Sequence, residues 1–298
     1  MLDDILQLLH QNISHRIWFI SDLQQSIPEN AARCMRQGIQ DFRQLNLECD
    51  RIIYLGDAVE GANLGHLEDM TEMQVKNLKD LDIPVRYVIG NHDFDYFRRY
   101  RESLAGVSLP FYETIKEVPG WKATASIEDF CFIEEFDDFA LVYLSDHAAM
   151  DGSWFTIHGK VFGDSSLYPY DDAFFEELRA KIADLNKPVF TASHYAFPGG
   201  NRPSPLLERL LPLPDNVKTH FYGHAHIGDK VWVGKDCYRK ISYVDDHNIP
   251  QIDVASFENI RGNAVRSVFF EIYQKGGYGI LFRNHTLAKW EEVFFINT

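Results

Sequence analysis

Short apolar strands alternate with amphipathic helices along the first third of the sequence, and each strand stops at polar residues. Residues 16–20 form a first apolar run that stops at Asp22, and residues 31–47 follow with helical periodicity. Residues 51–55 repeat the strand and stop at Asp57, ahead of another helical stretch. Because these strands are apolar throughout rather than at every second position, they indicate a parallel sheet covered on both faces.

The same pattern continues to a third strand and reappears in the second half of the chain. Residues 64–81 are periodic as a helix, and a third apolar run, residues 85–89, stops at Gly90. Later strands are predicted at residues 130–136, 139–144, 188–192 and 219–222, with an amphipathic helix at residues 171–185. An antiparallel tail is predicted from residues 265–273, 279–283 and 290–295. Residues 96–120 indicate only helix and loop.

The chain is predicted to be a single α/β domain over residues 1–298. It shows no internal repeat, no low-complexity segment and no linker rich in Pro, Gly or Ser. Apolar residues at helical spacing predict an N-terminal helix within residues 1–14. The antiparallel tail would form a C-terminal β extension from about residue 265 to residue 298.

The charge and the cysteine content exclude several classes of protein. A formal net charge of −15 repels polyanions, which disfavours a nucleic-acid partner. No apolar stretch approaches the roughly 20 residues of a membrane span, so no membrane association is expected. Four scattered cysteines without a CxxC pair, and a start without the basic and apolar regions of a signal peptide, lead us to expect a cytoplasmic protein.

Side chains of metal-binding types stand at the ends of five successive strands. They are Asp22 with Gln24, Asp57, Asn91 with His92, His194, and His224 with His226. Carboxylate, amide and imidazole groups are ligands suited to Mn²⁺, Fe or Zn²⁺. Because a sheet brings the ends of its strands together, we expect these side chains to converge on one point. Each residue taken alone would serve as well in a helix cap or a turn, and only the ordered set indicates a site.

The ordered set resembles the five motifs of the calcineurin-like metallophosphoesterase superfamily. The matching segments are Asp22-Leu23-Gln24, Gly56-Asp57, Gly90-Asn91-His92-Asp93, Ser193-His194 and Gly223-His224-Ala225-His226. Together they span about residues 16–228. The resemblance implies a two-layer β sandwich flanked by helices, in the four-layer order α/β/β/α, with a dinuclear metal site above the strand ends.

The resemblance also implies a role for each motif residue. For the first ion, the implied ligands are Asp22, Gln24, Asp57 and His226, with Gln24 standing where the motif expects His. For the second ion, they are Asp57, Asn91, His194 and His224, so that Asp57 would bridge the two ions. His92 would stay unligated beside the substrate, and Glu60 would orient it as a catalytic partner.

The implied activity is hydrolysis of a phosphoester of a small phosphorylated or nucleotide-like substrate. The nucleophile would be a hydroxide that bridges two divalent ions, and the motifs do not separate monoesters from diesters. His92 would either protonate the leaving alkoxide or hydrogen-bond a nonbridging oxygen. Because an amide oxygen is a harder and weaker ligand than imidazole, Gln24 predicts a weakened first site and a preference for Mn²⁺, with Fe or Zn²⁺ as alternatives.

Other functions on the same fold are less well supported. Gln24 in place of His favours a metal-poor protein-binding scaffold, whereas His92 and the other implied ligands oppose it. A nuclease would need a local basic patch, for example Arg98, Arg99 and Arg101, against the net charge of −15. A protein phosphatase is disfavoured because Gly61 stands where those enzymes carry a phosphate-binding arginine.

Overall fold

The computed structural model describes residues 12–25, 27–58, 73–74, 76–88, 90–93, 131–144, 171–244, 247–259 and 263–296. Its strands are β1 (Ile13–Ile20), β2 (Arg51–Tyr54), β3 (Val85–Tyr87), β4 (Cys131–Glu135), β5 (Ala140–Leu144), β6 (Val189–Ala192), β7 (Val217–Tyr222), β8 (Ile241–Tyr243), β9 (Pro250–Asp253), β10 (Arg266–Tyr273), β11 (Tyr278–Asn284) and β12 (Lys289–Ile296). Its helices are α1 (Pro28–Leu45), α2 (Asp172–Ala183), α3 (Pro205–Glu208) and α4 (Asp229–Trp232). Residues 73–74 and 76–79 are also helical. No helix in the described part of the chain combines the length and apolarity that crossing a lipid bilayer requires.

The strands form two mixed sheets of six strands each, in the orders β12-β11-β10-β1-β2-β3 and β4-β5-β6-β7-β9-β8. In the first sheet, β1, β2 and β3 are parallel, and β10, β11 and β12 extend it on the other side as antiparallel strands. In the second sheet, β5, β6, β7 and β9 are parallel, while β4 and β8 are antiparallel edges. The predicted parallel unit, the antiparallel tail and the sandwich are therefore confirmed.

Aromatic side chains between the sheets join them into one sandwich. The rings of Phe19 in β1 and Phe221 in β7 stack with their centroids 4.2 Å apart. Phe190 in β6 meets Phe270 in β10 edge to face at 4.6 Å. Such pairs add about 0.5–1.5 kcal/mol beyond the burial of their area. The two sheets are thus held at a fixed separation beneath the ends of their strands.

Helices cover the outer faces of both sheets. Helix α1 begins at Pro28, and the missing amide proton of proline costs nothing there because the first turn of a helix leaves its amides unpaired. It ends before Asn46, whose left-handed φ of 49° stops the helix. Its buried face packs on the first sheet. Helix α2 begins after Asp171, whose carboxylate accepts a hydrogen bond from the amide of Phe174 at 2.9 Å, and it packs on the second sheet. This layering matches the predicted α/β/β/α order.

Several predicted boundaries differ from the structure. The predicted N-terminal helix extends to residue 14, but residues 13 and 14 belong to strand β1, so the prediction is wrong at these two positions. Antiparallel pairing with β10 explains why they are extended. Residues 1–11, 96–120 and most of 64–81 lie outside the described residues. Strands β8 and β9 were not predicted. In β9, buried Gln251 interrupts the apolar pattern, and its side chain bonds the backbone of Phe197 at 2.9 Å. The single-domain boundaries stay a prediction.

Helix α1 is tied to the first sheet by a buried ion pair. Arg283 donates two hydrogen bonds to the carboxylate of Asp41, at 2.8 and 2.7 Å, and the Nδ1 of His285 lies 2.8 Å from the same carboxylate. His285 in turn reaches the hydroxyl of Ser267 at 2.7 Å. Burial opposes ionisation of Asp41, but the hydrogen bonds from Arg283 and His285 lower its pKa to about 2. The network therefore stabilises the ionised carboxylate.

Replacing Asp41 by Asn is expected to lower the free energy of unfolding at pH 7 by about 3 kcal/mol, because it leaves the buried Arg283 without a counter-charge. The pKa of Asp41 is lower in the folded than in the unfolded chain, so its contribution is present above pH ~4 and is lost as the pH falls towards ~2. The difference between wild type and D41N, measured by urea denaturation, should shrink by about 2 kcal/mol over that window. A difference that stays constant with pH would contradict this assignment.

Candidate metal centre

The ends of strands from both sheets meet at one edge of the sandwich. Asp22, Asp57 and Asn91 follow β1, β2 and β3 of the first sheet, whereas His194 and His224 follow β6 and β7 of the second. The sequence predicts that the strand ends of one sheet carry all of these side chains, whereas in the structure they come from two sheets. A bond between the sheets fixes their relative position, since the Nδ1 of His194 lies 2.6 Å from the backbone oxygen of Leu55.

One group of side chains assembles around the first motif. Ligand atoms of Asp22, Asp57 and His226 all lie within 4.8 Å of one another. The Nε2 atom of His226 is 3.3 Å from Oδ1 of Asp22 and 3.3 Å from Nε2 of the Gln24 side chain. The structure therefore brings together the four residues that the resemblance implies for a first ion.

A second group shares one member with the first. Ligand atoms of Asp57, His194 and His224 also lie within 4.8 Å of one another. The Nε2 atom of His194 is 3.2 Å from Oδ2 of Asp57 and 3.1 Å from Oδ1 of Asn91. Asp57 thus belongs to both groups, as a carboxylate that bridges two ions must.

The donor set fits a pair of divalent ions. Within the described part of the chain, four buried polar atoms at this edge make no hydrogen bond: Oδ1 of Asp22, Oε1 of Gln24, Oδ2 of Asp57 and Nδ1 of His224. The two aspartate oxygens are approached only by the ring nitrogens of His226 and His194, at 3.3 and 3.2 Å. Leaving a buried polar atom without a partner costs about 1–3 kcal/mol. Each of the four belongs to a residue expected to bind metal, and bound cations would satisfy them all.

The electrostatics of the cluster oppose an uncompensated charge. Burial raises the pKa of Asp22. Burial also opposes ionisation of Asp57, but its electrostatic interactions with His194 and His92 outweigh burial and hold the pKa of Asp57 below its usual range. Burial lowers the pKa of His224 well below its usual value, so its imidazole is neutral and able to bind a metal.

The backbone at this edge adopts a conformation that few residues accept. Asp22, Asp57, His224 and His226 have φ angles of 58°, 54°, 65° and 49°. Such left-handed angles cost on the order of 1 kcal/mol or more for residues other than Gly, and they persist where a functional geometry is held by its surroundings. A glycine is needed at position 90, because a Cβ atom there would lie 2.2 Å from Oδ1 of Asp57.

Comparison with known proteins identifies this arrangement. The model of the calcineurin-like phosphoesterase family matches residues 15–228. The chain belongs to this family. It is a metal-dependent phosphoester hydrolase. A comparison with curated proteins finds no match.

Solved structures share the fold of this phosphoesterase. A dimetal phosphatase from Danio rerio superposes with a TM-score of 0.64 at 15% identity, over 96% of this chain and 99% of that one. A purple acid phosphatase from yellow lupin (Lupinus luteus) seeds superposes with a TM-score of 0.53 at 11% identity, over 95% of this chain and 53% of that one. At these identities the likeness establishes the sandwich fold.

Two predicted catalytic residues have different outcomes in the phosphoesterase. His92 lies beside the groups described above, and its backbone amide donates to Oδ1 of Asp57 at 2.8 Å. Glu60 lies outside the described residues.

Asp93 belongs to the third motif, and the resemblance implies no role for it. Its carboxylate accepts hydrogen bonds from the backbone amides of Asp57 and Gly90 at 2.7 and 2.9 Å. Burial and the nearby charge of Asp57 raise the pKa of Asp93 to about 7. Asp93 thus joins the loops that carry Asp57 and His92.

Sequence reasoning missed two charged residues near the metal groups. Glu258, which follows β9, is buried and lies 2.8 Å from the Nδ1 of His226. Arg202 is exposed, and its charge helps to lower the pKa of His224. The Nε of Arg202 donates to the hydroxyl of Tyr238 at 2.8 Å. Neither residue belongs to a motif with a characteristic spacing, so only the folded chain reveals them.

Proposed function

We propose that this phosphoesterase hydrolyses a monoester or diester of a small phosphorylated or nucleotide-like compound, using two divalent ions held by the motif residues. The observation that carries the proposal is the position of Asp57, whose carboxylate belongs to both groups of ligands. The proposed ligands are Asp22, Gln24, Asp57 and His226 for one ion and Asp57, Asn91, His194 and His224 for the other. The proposed catalytic residue is His92, with Glu60 as its partner.

When bound, two divalent ions would neutralise the charge of the phosphate oxygens and make water nucleophilic at neutral pH. The protein residues hold and orient the reacting groups. Asp57 would be a ligand to both ions, because it belongs to both groups, and neutral His224 would offer an imidazole lone pair. His92, whose backbone amide donates to Oδ1 of Asp57, would donate a proton to the leaving oxygen or hydrogen-bond a nonbridging oxygen.

Arg202, whose charge acts on the pKa of His224, is proposed to contact the phosphate. Among the described residues, none accepts a hydrogen bond from its Nη1 or Nη2 atoms. Its loop is tied to the ends of two strands, because the amide of Asn201 donates to the hydroxyl of Tyr222 and its side chain donates to Asp253 at 3.0 Å. Guanidinium groups match phosphate oxygens in a two-bond geometry. Arg202 therefore supplies the positive group that Gly61 lacks.

The four cysteines fit the proposal that the enzyme is cytoplasmic. Cys34, Cys49, Cys131 and Cys237 are all free. Reduced thiols are typical of proteins kept in a reducing compartment.

Wild-type protein supplied with Mn²⁺ is expected to hydrolyse p-nitrophenyl phosphate or bis-p-nitrophenyl phosphate, and His92→Ala should lower kcat by about 10²–10⁴-fold, because the proton donor is lost. His247→Ala, at an exposed histidine, is the matched control and should match wild type. Absence of activity on both substrates and on a panel of nucleotides would contradict the proposal and favour the protein-binding scaffold.

Gln24→His is expected to tighten the weaker of the two Mn²⁺ sites by about tenfold or more and to increase the preference for Zn²⁺, since imidazole suits Zn²⁺ better than an amide oxygen does. Calorimetric titration with each metal measures both effects. Gln40→His, at an exposed position of α1, controls for an added surface histidine. Two equally tight Mn²⁺ sites in the wild-type protein would show that Gln24 does not weaken its site.

Arg202→Ala is expected to raise KM for the phosphoester by about tenfold with a smaller change in kcat. One charge-assisted hydrogen bond contributes about 1.5–3 kcal/mol, and Arg202 would bind the ground state and the transition state alike. Steady-state kinetics separate the two parameters, with Arg36→Ala at an exposed position as control. An unchanged KM would remove Arg202 from the substrate site.

A further inference from the structure

Glu258 forms a carboxylate–imidazole pair with one of the ligands proposed above. Its Oε1 atom lies 2.8 Å from Nδ1 of His226, and its side chain is 1% exposed. We propose that Glu258 is a positioning residue for the first metal group, which holds His226 with its Nε2 lone pair directed at the ion. This inference rests on the proposed function, because it concerns a residue behind a ligand of the same centre.

The hydrogen bond selects one form of the imidazole. A carboxylate oxygen only accepts hydrogen bonds, so Nδ1 of His226 must carry the proton. Nε2 is then the atom with the lone pair. That atom is the one that lies 3.3 Å from Oδ1 of Asp22 and 3.3 Å from the Gln24 amide. Glu258 therefore fixes both the tautomer and the direction of the ligand atom.

The chain holds Glu258 in place through its neighbours. The amide of Phe257 donates to the backbone oxygen of Ser21 at 2.8 Å, which ties this segment to the residue before Asp22. The ring of Phe257 is fully buried and occupies space that only a glycine at position 38 of α1 leaves open, since a Cβ there would lie 2.0 Å from the ring. Glu258 is thus anchored by packing and by a backbone bond on its N-terminal side.

Glu258 also adds a negative charge next to the first metal group, in which Gln24 is a weak ligand. Where the motif expects a second imidazole, Gln24 offers an amide oxygen, which is a weaker ligand for most divalent metals. A carboxylate hydrogen-bonded to Nδ1 raises the basicity of the other ring nitrogen. Glu258 lies beyond residues 15–228, the part that matches the family model. The C-terminal part of the chain therefore contributes to the first site.

A second pair in the same molecule provides a matched comparison. Asp41 lies 2.8 Å from Nδ1 of His285, the same distance as in the Glu258 pair. There, however, Nε2 of His285 is engaged by the hydroxyl of Ser267 at 2.7 Å, away from the metal groups. Removing the Asp41 charge tests the loss of a buried carboxylate from a histidine without touching a metal ligand.

The experiment is a Mn²⁺ titration of wild type, Glu258→Gln and Asp41→Asn, followed by the electron paramagnetic resonance signal of free Mn²⁺. Wild type should show two sites. E258Q should weaken one site by about 10–100-fold and leave the other unchanged, because Gln keeps the shape but loses the charge. D41N should unfold at a lower temperature yet bind Mn²⁺ as wild type does. Thermal unfolding of metal-free E258Q checks that it is folded.

Two results would overturn the inference. Equal Mn²⁺ affinities in wild type and E258Q would show that Glu258 does not act on the site, while leaving the proposed function standing. Equal weakening of both sites would show a general structural role instead. If E258Q does not fold, Glu258→Asp, which keeps the charge and withdraws it by one methylene, must weaken one site alone. Wild-type protein that binds no Mn²⁺ would overturn the proposed function and this inference together.

Discussion

The buried carboxylate of Asp57 lies where strand ends of the two sheets of this phosphoesterase come together. Its loop is bonded on every side: the backbone oxygen accepts from Gln24 at 3.0 Å, the amide donates to Asp93 at 2.7 Å and Oδ1 accepts from the amide of His92 at 2.8 Å. His194 of the second sheet approaches Oδ2 at 3.2 Å. Because Asp57 is fully buried, its charge is tolerable only where cations surround it. The rest of the edge is arranged around that requirement.

A buried cluster of this kind needs a rigid support. Left-handed backbone angles at four of the motif residues, and buried polar atoms that make no hydrogen bond with any described residue, both oppose folding. The sandwich beneath them is closed at its edges by ion pairs between the sheets. At one edge, Arg51 and Arg86 reach Glu134 in β4 at 2.7 and 3.0 Å, and at the other edge Lys240 pairs with Glu292. The core and these clamps offset the cost of the site.

The parts of the site that the sequence predicted are those with local signatures. Asp57 and His224 each follow an apolar run and a glycine, and the structure brings both into the ligand groups. Gln24 was recognised as a departure, and it lies against His226. Glu258 and Arg202 could not be predicted, because each acts through partners that are distant along the chain. Strand β9 was not predicted for a similar reason, because its polar side chains form hydrogen bonds with distant parts of the chain. The side chain of Gln251, for example, accepts from the backbone amide of Phe197.

By itself, the sequence determined the α/β class, most of the helices and strands in their order along the chain, and the residue types at the strand ends, because apolar periodicity and turn residues act over a few neighbouring positions. The tertiary structure decided which sheet carries each motif residue, and that Glu258 lies against His226. Those features depend on how two sheets stack and twist across a common core. Such long-range packing is set by the sum of many side-chain contacts, and no short stretch of sequence encodes it.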